Sequence, residues 1–163
     1  MRVFIGTDHA GLEFKEHLKR ALVDAGHEPV DCGAFDHDPD DDYPPFCFEV
    51  GERTVVEPGS LGVVIGGSGN GEQIAANKVP GVRAALVWST TTAQLARQHN
   101  DANVVAVGAR QHSPGEAAEL VLEFLRTSFS GDERHVRRIG LISGYERDRH
   151  RPAGGLPTRA EHP

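Results

Sequence analysis

Cysteine is scarce in this chain of 163 residues: there are two, Cys32 and Cys47, and they do not form a C-x-x-C pair. A disulfide framework or zinc knuckle is therefore not expected, and both thiols read as buried apolar packers. Long apolar runs are also missing. No stretch approaches the roughly 20 residues needed to span a bilayer. The opening MRVFIGTDHAG carries one basic residue and a short apolar run broken at Asp8, not the long apolar core of a secretory signal. Cations are in deficit: 17 Lys and Arg face 24 Asp and Glu, giving a net charge of −7. Such a chain is not built for general binding to nucleic acid or acidic membranes, although a local basic patch can still hold a small anion. What remains is the expectation of a cytoplasmic enzyme or binding domain.

The length suits one domain with a core that needs no covalent staples. Apolar residues make up 38% and charged residues 25%, a globular balance. Nineteen glycines among short Val, Ile and Leu runs point to an α/β protein with many strand-to-helix turns. Apolar runs at 3–6, 28–32, 61–66, 83–88 and 103–108 read as strands. Three of them are nearly continuous, as parallel strands covered on both faces are. Between them, Phe14, Leu18, Ala21, Leu22 and Ala25 recur at helical spacing and stop at Gly26. Ser113, Pro114 and Glu116 open a second stripe with a capping box. Further helices are expected at 43–56, 71–78, 90–100 and 131–147. The alternation predicts an open parallel sheet with helices on both faces and ligand-binding loops at the rim where the strands end. Residues 1–147 form the expected single domain, and the proline-containing tail 148–163 is expected to be disordered.

The strongest local signal is Gly66-Gly67-Ser68-Gly69-Asn70-Gly71-Glu72, directly after a strand and opening a helix. Glycines let the backbone turn tightly with several N–H groups aimed into one space, and the helix start adds positive potential. The loop suits a phosphate or an oxyanion formed during reaction. It is not a Walker A loop, because Gly-Glu-Gln stands where Gly-Lys-Ser/Thr is required, and its spacing is not that of a dinucleotide fingerprint. Glu72 can simply complement the helix dipole. Beside an anion-binding loop it can also serve as a general base that takes a proton from carbon next to a carbonyl. Asp8 and His9 follow the first strand and Arg110 the fifth, on the same expected rim. His99 and Asn100 end a helix, where a histidine often only caps. Arg134, His135, Arg137 and Arg138 are a basic cluster in an acidic chain, either a solvated face or a phosphate clamp. The run Asp36, Asp38, Asp40, Asp41, Asp42 is not a calcium loop, since Asp41 and Cys47 occupy the positions that need Gly and Glu; it reads as solvated. No H-E-x-x-H or comparable metal-ligand spacing is present, so no metal site is expected.

The stretches GTDHAG, DDDYP, GGSGNGEQIAANKVPGVRAAL, ARQHNDAN, VGAR and ERHVRRI, in this order up to about residue 147, resemble the type B ribose-5-phosphate isomerases, in their actinobacterial branch. The resemblance implies a Rossmann-like three-layer sandwich and cofactor-free interconversion of D-ribose 5-phosphate and D-ribulose 5-phosphate. It also implies a homodimer, or a dimer of dimers, whose active sites are shared between subunits. By position it makes Glu72 the base, and Gly67, Ser68, Gly69, Asn70 and Gly71 the anion hole and its substrate contacts. It makes His99 the ring-opening acid, helped by Asp8. Asn100 and Tyr43 become sugar contacts. His9 and Arg110, with Arg134 and Arg138 from the partner, become phosphate holders. Many relatives have a cysteine base where this chain has Gly66, so the role passes to Glu72. The rival readings are an isomerase of a six-carbon sugar phosphate, such as allose or galactose 6-phosphate, and a non-catalytic nucleotide-binding α/β module.

Overall fold

Each of the five apolar runs becomes a strand: β1 (Arg2–Thr7), β2 (Glu28–Asp31), β3 (Leu61–Gly66), β4 (Ala84–Leu86) and β5 (Val104–Gly108). They pair in parallel in the order β2-β1-β3-β5-β4. The computed structural model describes residues 1–149. The chain divides into two compact units, Met1–Ser130 and Gly131–Pro163. The sheet and helices α1 (Leu12–Asp24), α2 (Tyr43–Val56), α3 (Asn70–Ala76), α4 (Thr90–Asn100) and α5 (Pro114–Arg126) belong to the first. Helix α6 (Glu133–Asp148) belongs to the second. It takes in Asp148, the first residue of the expected tail, and residues 150–163 lie outside the described range. No helix among the described residues is long and apolar enough to cross a membrane.

Period-two alternation sends strand side chains to two cores. Val3, Ile5, Val63, Ile65, Val105 and Val107 pack against Leu18 and Leu22 of α1, Ala93 and Ala96 of α4, and Val121 and Phe124 of α5. Phe4, Val64, Val104 and Ala106 face the other way, toward Cys47 and Val50 of α2 and Ala75 and Ala76 of α3. Every residue of β3 and β5 is buried, which is why these runs are unbroken in apolar residues.

A short separate turn precedes the expected first helix. Asp8 caps a separate 3-10 turn, His9–Gly11, accepting from the Ala10 N–H at 3.0 Å, and α1 begins at Leu12. Gly26 closes α1 with φ +79°. Ser113 and Glu116 form the expected reciprocal capping box on α5. In the sheet order, β2 lies on one side of β1 and β3 on the other. Helix α1, after β1, covers one face, and α3, after β3, covers the opposite one. The loops leaving β1 and β3 therefore diverge and leave a crevice at the rim where the strands end.

Candidate active site

The crevice is built around Glu72. Its side chain begins in the first turn of α3 and is only 5% exposed. Gly69 turns the chain into that helix with φ +80°. Gly66 ends β3 directly against the Glu72 carboxylate; a Cβ at position 66 would overlap it. The Gly66 and Gly67 carbonyls are held by the N–H groups of Ala109 (2.8 Å) and Arg110 (3.0 Å). That clamps the loop to the end of β5. The N–H groups of Gly67 and Ser68 meet no acceptor among the described residues, so the loop keeps donors for an anion. Burial pushes the Glu72 carboxyl above the ordinary glutamate range, and the charge of Asp8 adds to this. The main-chain N–H groups of Glu72 and Gly69 oppose the shift. A buried carboxylate shifted upward holds a proton more readily than an exposed glutamate does, which is the property a general base needs.

The wall of the crevice comes from three loops. Thr7 ties β1 to β3 by donating from Oγ1 to the Ile65 carbonyl at 2.9 Å, which places the buried Asp8 beside Glu72. Tyr43, the first residue of α2, lays its ring over the Cα of Gly71, an approach that only glycine allows. Arg110 follows β5 and lies over Gly67; a Cβ there would be 3.3 Å from its Nη1. His9 is partly exposed, and Asp41 accepts from its Nδ1 at 2.6 Å and from its main-chain N–H at 3.1 Å. Asp41 was expected only as part of a solvated loop. The sequence offered one hint to the contrary, its place two residues before Tyr43. Asp8, His9 and Asp41 are also the one group among the described residues whose ligand atoms lie close enough, within 4.8 Å, to hold a metal ion. The direct His9–Asp41 hydrogen bond already engages two of those atoms. Cys47 lies under the site, its thiol pushed up to about 12 by burial and by the charges of Glu72 and Asp8. That makes it a packing residue and no nucleophile.

Asp8, His9, Tyr43, Gly67, Ser68, Gly69, Asn70, Gly71, Glu72 and Arg110 thus meet at one rim. Within the rim, Ser68 and Asn70 are exposed, joined by a 3.3 Å hydrogen bond from the Asn70 N–H to the Ser68 hydroxyl. His99 and Asn100 do not join them within the chain. Helix α4 runs back from the rim where strands end to the rim where they begin. There Arg83 Nε, at the start of β4, donates to the Asn100 carbonyl at 2.9 Å. The five residues of β5, about 17 Å of extended chain, lie between that rim and the one that holds Glu72. Arg134 and Arg138 lie one turn apart on α6 in the second unit, both exposed.

The ribose/galactose isomerase family model matches residues 3–142. Ribose-5-phosphate isomerase B of Mycolicibacterium paratuberculosis is 55% identical over 152 residues, which is 93% of this chain and 96% of that protein. Among solved structures, the type B ribose 5-phosphate isomerase of Trypanosoma cruzi superposes with a TM-score of 0.87 at 44% identity, covering 91% of this chain and 98% of that one. Ribose-5-phosphate isomerase B of Mycoplasma genitalium, solved with bound ribulose-5-phosphate, gives a TM-score of 0.86 at 42% identity and covers 90% of this chain and 97% of that one. With the match running through both the sheet and the glycine-rich loop, the chain belongs to the ribose/galactose isomerase family.

Proposed function

We propose that the chain interconverts D-ribose 5-phosphate and D-ribulose 5-phosphate through an enediolate, with Glu72 as the base. The observation that carries this is the Glu72 carboxylate, buried against Gly66 beside unengaged loop N–H groups. The carboxylate takes the proton from C2 of the open-chain aldose, and the electron pair moves onto the C1 carbonyl oxygen. The Gly67–Gly71 loop, with Ser68, stabilises that oxygen as it gains charge. Returning the proton to C1, while the O2 proton leaves and O1 is protonated, gives the ketose. Nothing is oxidised or reduced overall, and no redox cofactor enters the balance. Tyr43 borders the sugar. His9 and Arg110 hold the phosphate away from the reacting carbons, so that phosphate binding energy orients C1 and C2.

Among the described residues, the ring-opening acid implied by the resemblance, His99, does not lie at the Glu72 rim of its own chain. His99 and Asn100 at the opposite rim enter the site from a second copy, with Arg134 and Arg138 of that copy closing on the phosphate. The working unit in this reading is a homodimer with two shared sites. The two free cysteines suit a reducing cytoplasm. A five-carbon substrate is favoured over a six-carbon one by the names of the relatives at 55% identity.

The test is isomerisation of ribose 5-phosphate by the EDTA-treated wild type and by Glu72→Gln. The wild type should turn over, with kcat/KM falling as pH drops through the raised Glu72 pKa, above the ordinary glutamate range. Glu72→Gln should lose kcat by about 100-fold or more and keep its affinity for substrate. Turnover by Glu72→Gln at the wild-type rate would remove Glu72 from the role. An inactive wild type would direct the search to six-carbon sugar phosphates.

A further inference from the structure

The loop before α2 does more than cross the surface. Asp41 reaches back 32 positions to His9 and engages it twice, with both carboxylate oxygens 3.1 Å from the His9 main-chain N and Oδ1 2.6 Å from Nδ1. The Asp41 side chain is 11% exposed and that of His9 28%. We infer that Asp41 is a positioning residue, which fixes the His9 ring with Nδ1–H turned to the carboxylate and Nε2 presented to the substrate phosphate. This rests on the reading of His9 as a phosphate holder.

The chemistry follows from the donor inventory. An ionised carboxylate only accepts, so Nδ1 must donate to it. A phosphate also only accepts, so Nε2 must carry a hydrogen as well. Both conditions hold together only in the imidazolium. The Asp41 hydrogen bond raises the His9 pKa first of all, burial opposes it, and the charge of Asp8 adds to it. Arg110 pulls the other way. The remaining titratable groups along the same groove are His37, whose ring sits edge-on at 6.1 Å, and Glu13, Glu16, His17 and Arg20 of α1. Asp41 is thus the anion that lets a histidine stay charged beside an arginine, and the pair together meets a doubly charged phosphate.

The experiment combines two readouts on Asp41→Asn, which keeps an oxygen acceptor for His9 and removes the charge. The first is the titration of His9 by nitrogen NMR in the ligand-free protein, assigned with His9→Gln. The second is the pH dependence of KM and kcat for ribose 5-phosphate. His9 should titrate at lower pH in Asp41→Asn than in the wild type. At pH 8, KM should rise about tenfold or more, the order expected for losing one charge-assisted hydrogen bond, while kcat stays within about twofold. Asp41→Asn added to His9→Gln should raise KM no further. Unchanged His9 titration would overturn the inference. So would a loss of kcat at constant KM, or an Asp41 effect that persists without His9. The NMR arm needs no turnover, so a failure of the isomerase reading leaves the His9 titration to be judged separately.

Discussion

Positions 66 and 72 are a single device made of two residues. The Glu72 carboxylate occupies the space into which a side chain at 66 would project. A chain with a thiol at 66 could not hold this glutamate in this place. A bare position 66 and a buried carboxylate from position 72 therefore go together. Replacing Gly66 by Ala should push the carboxylate away from the loop N–H groups and lower kcat about 100-fold. Far-ultraviolet circular dichroism should remain that of the wild type. A Gly66→Ala protein with normal kcat would mean that the carboxylate works from elsewhere. At this scale the sequence was informative where backbone chemistry constrained it. Four glycines in six positions and a carboxylate at a helix start left few alternatives. It was uninformative at Asp41, because five nearby aspartates look alike and only the fold brings one of them to His9.

The elements follow from periodicity, and their ends from capping chemistry. β3 and the helices over 43–56 and 90–100 match the expected limits; the β3 run is unbroken in apolar residues, and Ser89 caps the second of these helices. Asp8 caps only a short 3-10 turn ahead of α1, a feature that residue spacing alone does not carry. One element-level feature supports the site from behind. Lys15 of α1 is 1% exposed, and its Nζ donates to Asp31 Oδ1 and to the Ala34 carbonyl, each at 2.6 Å. Burial works against the Asp31 charge, yet hydrogen bonds from Lys15, Lys19 and the Gly33 N–H hold its pKa below the ordinary carboxylate range. This knot anchors the start of the loop that carries Asp41 and Tyr43. Lys15→Met should cost about 3 kcal/mol in urea unfolding, because it leaves a half-buried carboxylate with one cation fewer. It should also raise KM through the loosened loop. A midpoint and KM equal to those of the wild type would reduce the knot to a surface ion pair in effect.

At the scale of the whole molecule, strand direction decides which residues can meet. The loops after β1, β3 and β5 share one rim, so Asp8, Glu72 and Arg110 come together without any long-range device. Helix α4 ends at the other rim, and His99 with it. The sequence predicts the helix α4, but its consequence emerges only when the helix is set antiparallel to the strands it connects. The account therefore turns on two copies sharing each site, one giving Glu72 and the other His99. Mixing separately inactive Glu72→Gln and His99→Ala proteins, after dissociation and reassembly, tests this directly. A mixed dimer holds one site with both substitutions and one with neither. About a quarter of wild-type activity should return from an equimolar random mixture. No recovery, with mixed dimers shown to form, would place both residues in one chain's site and contradict the account.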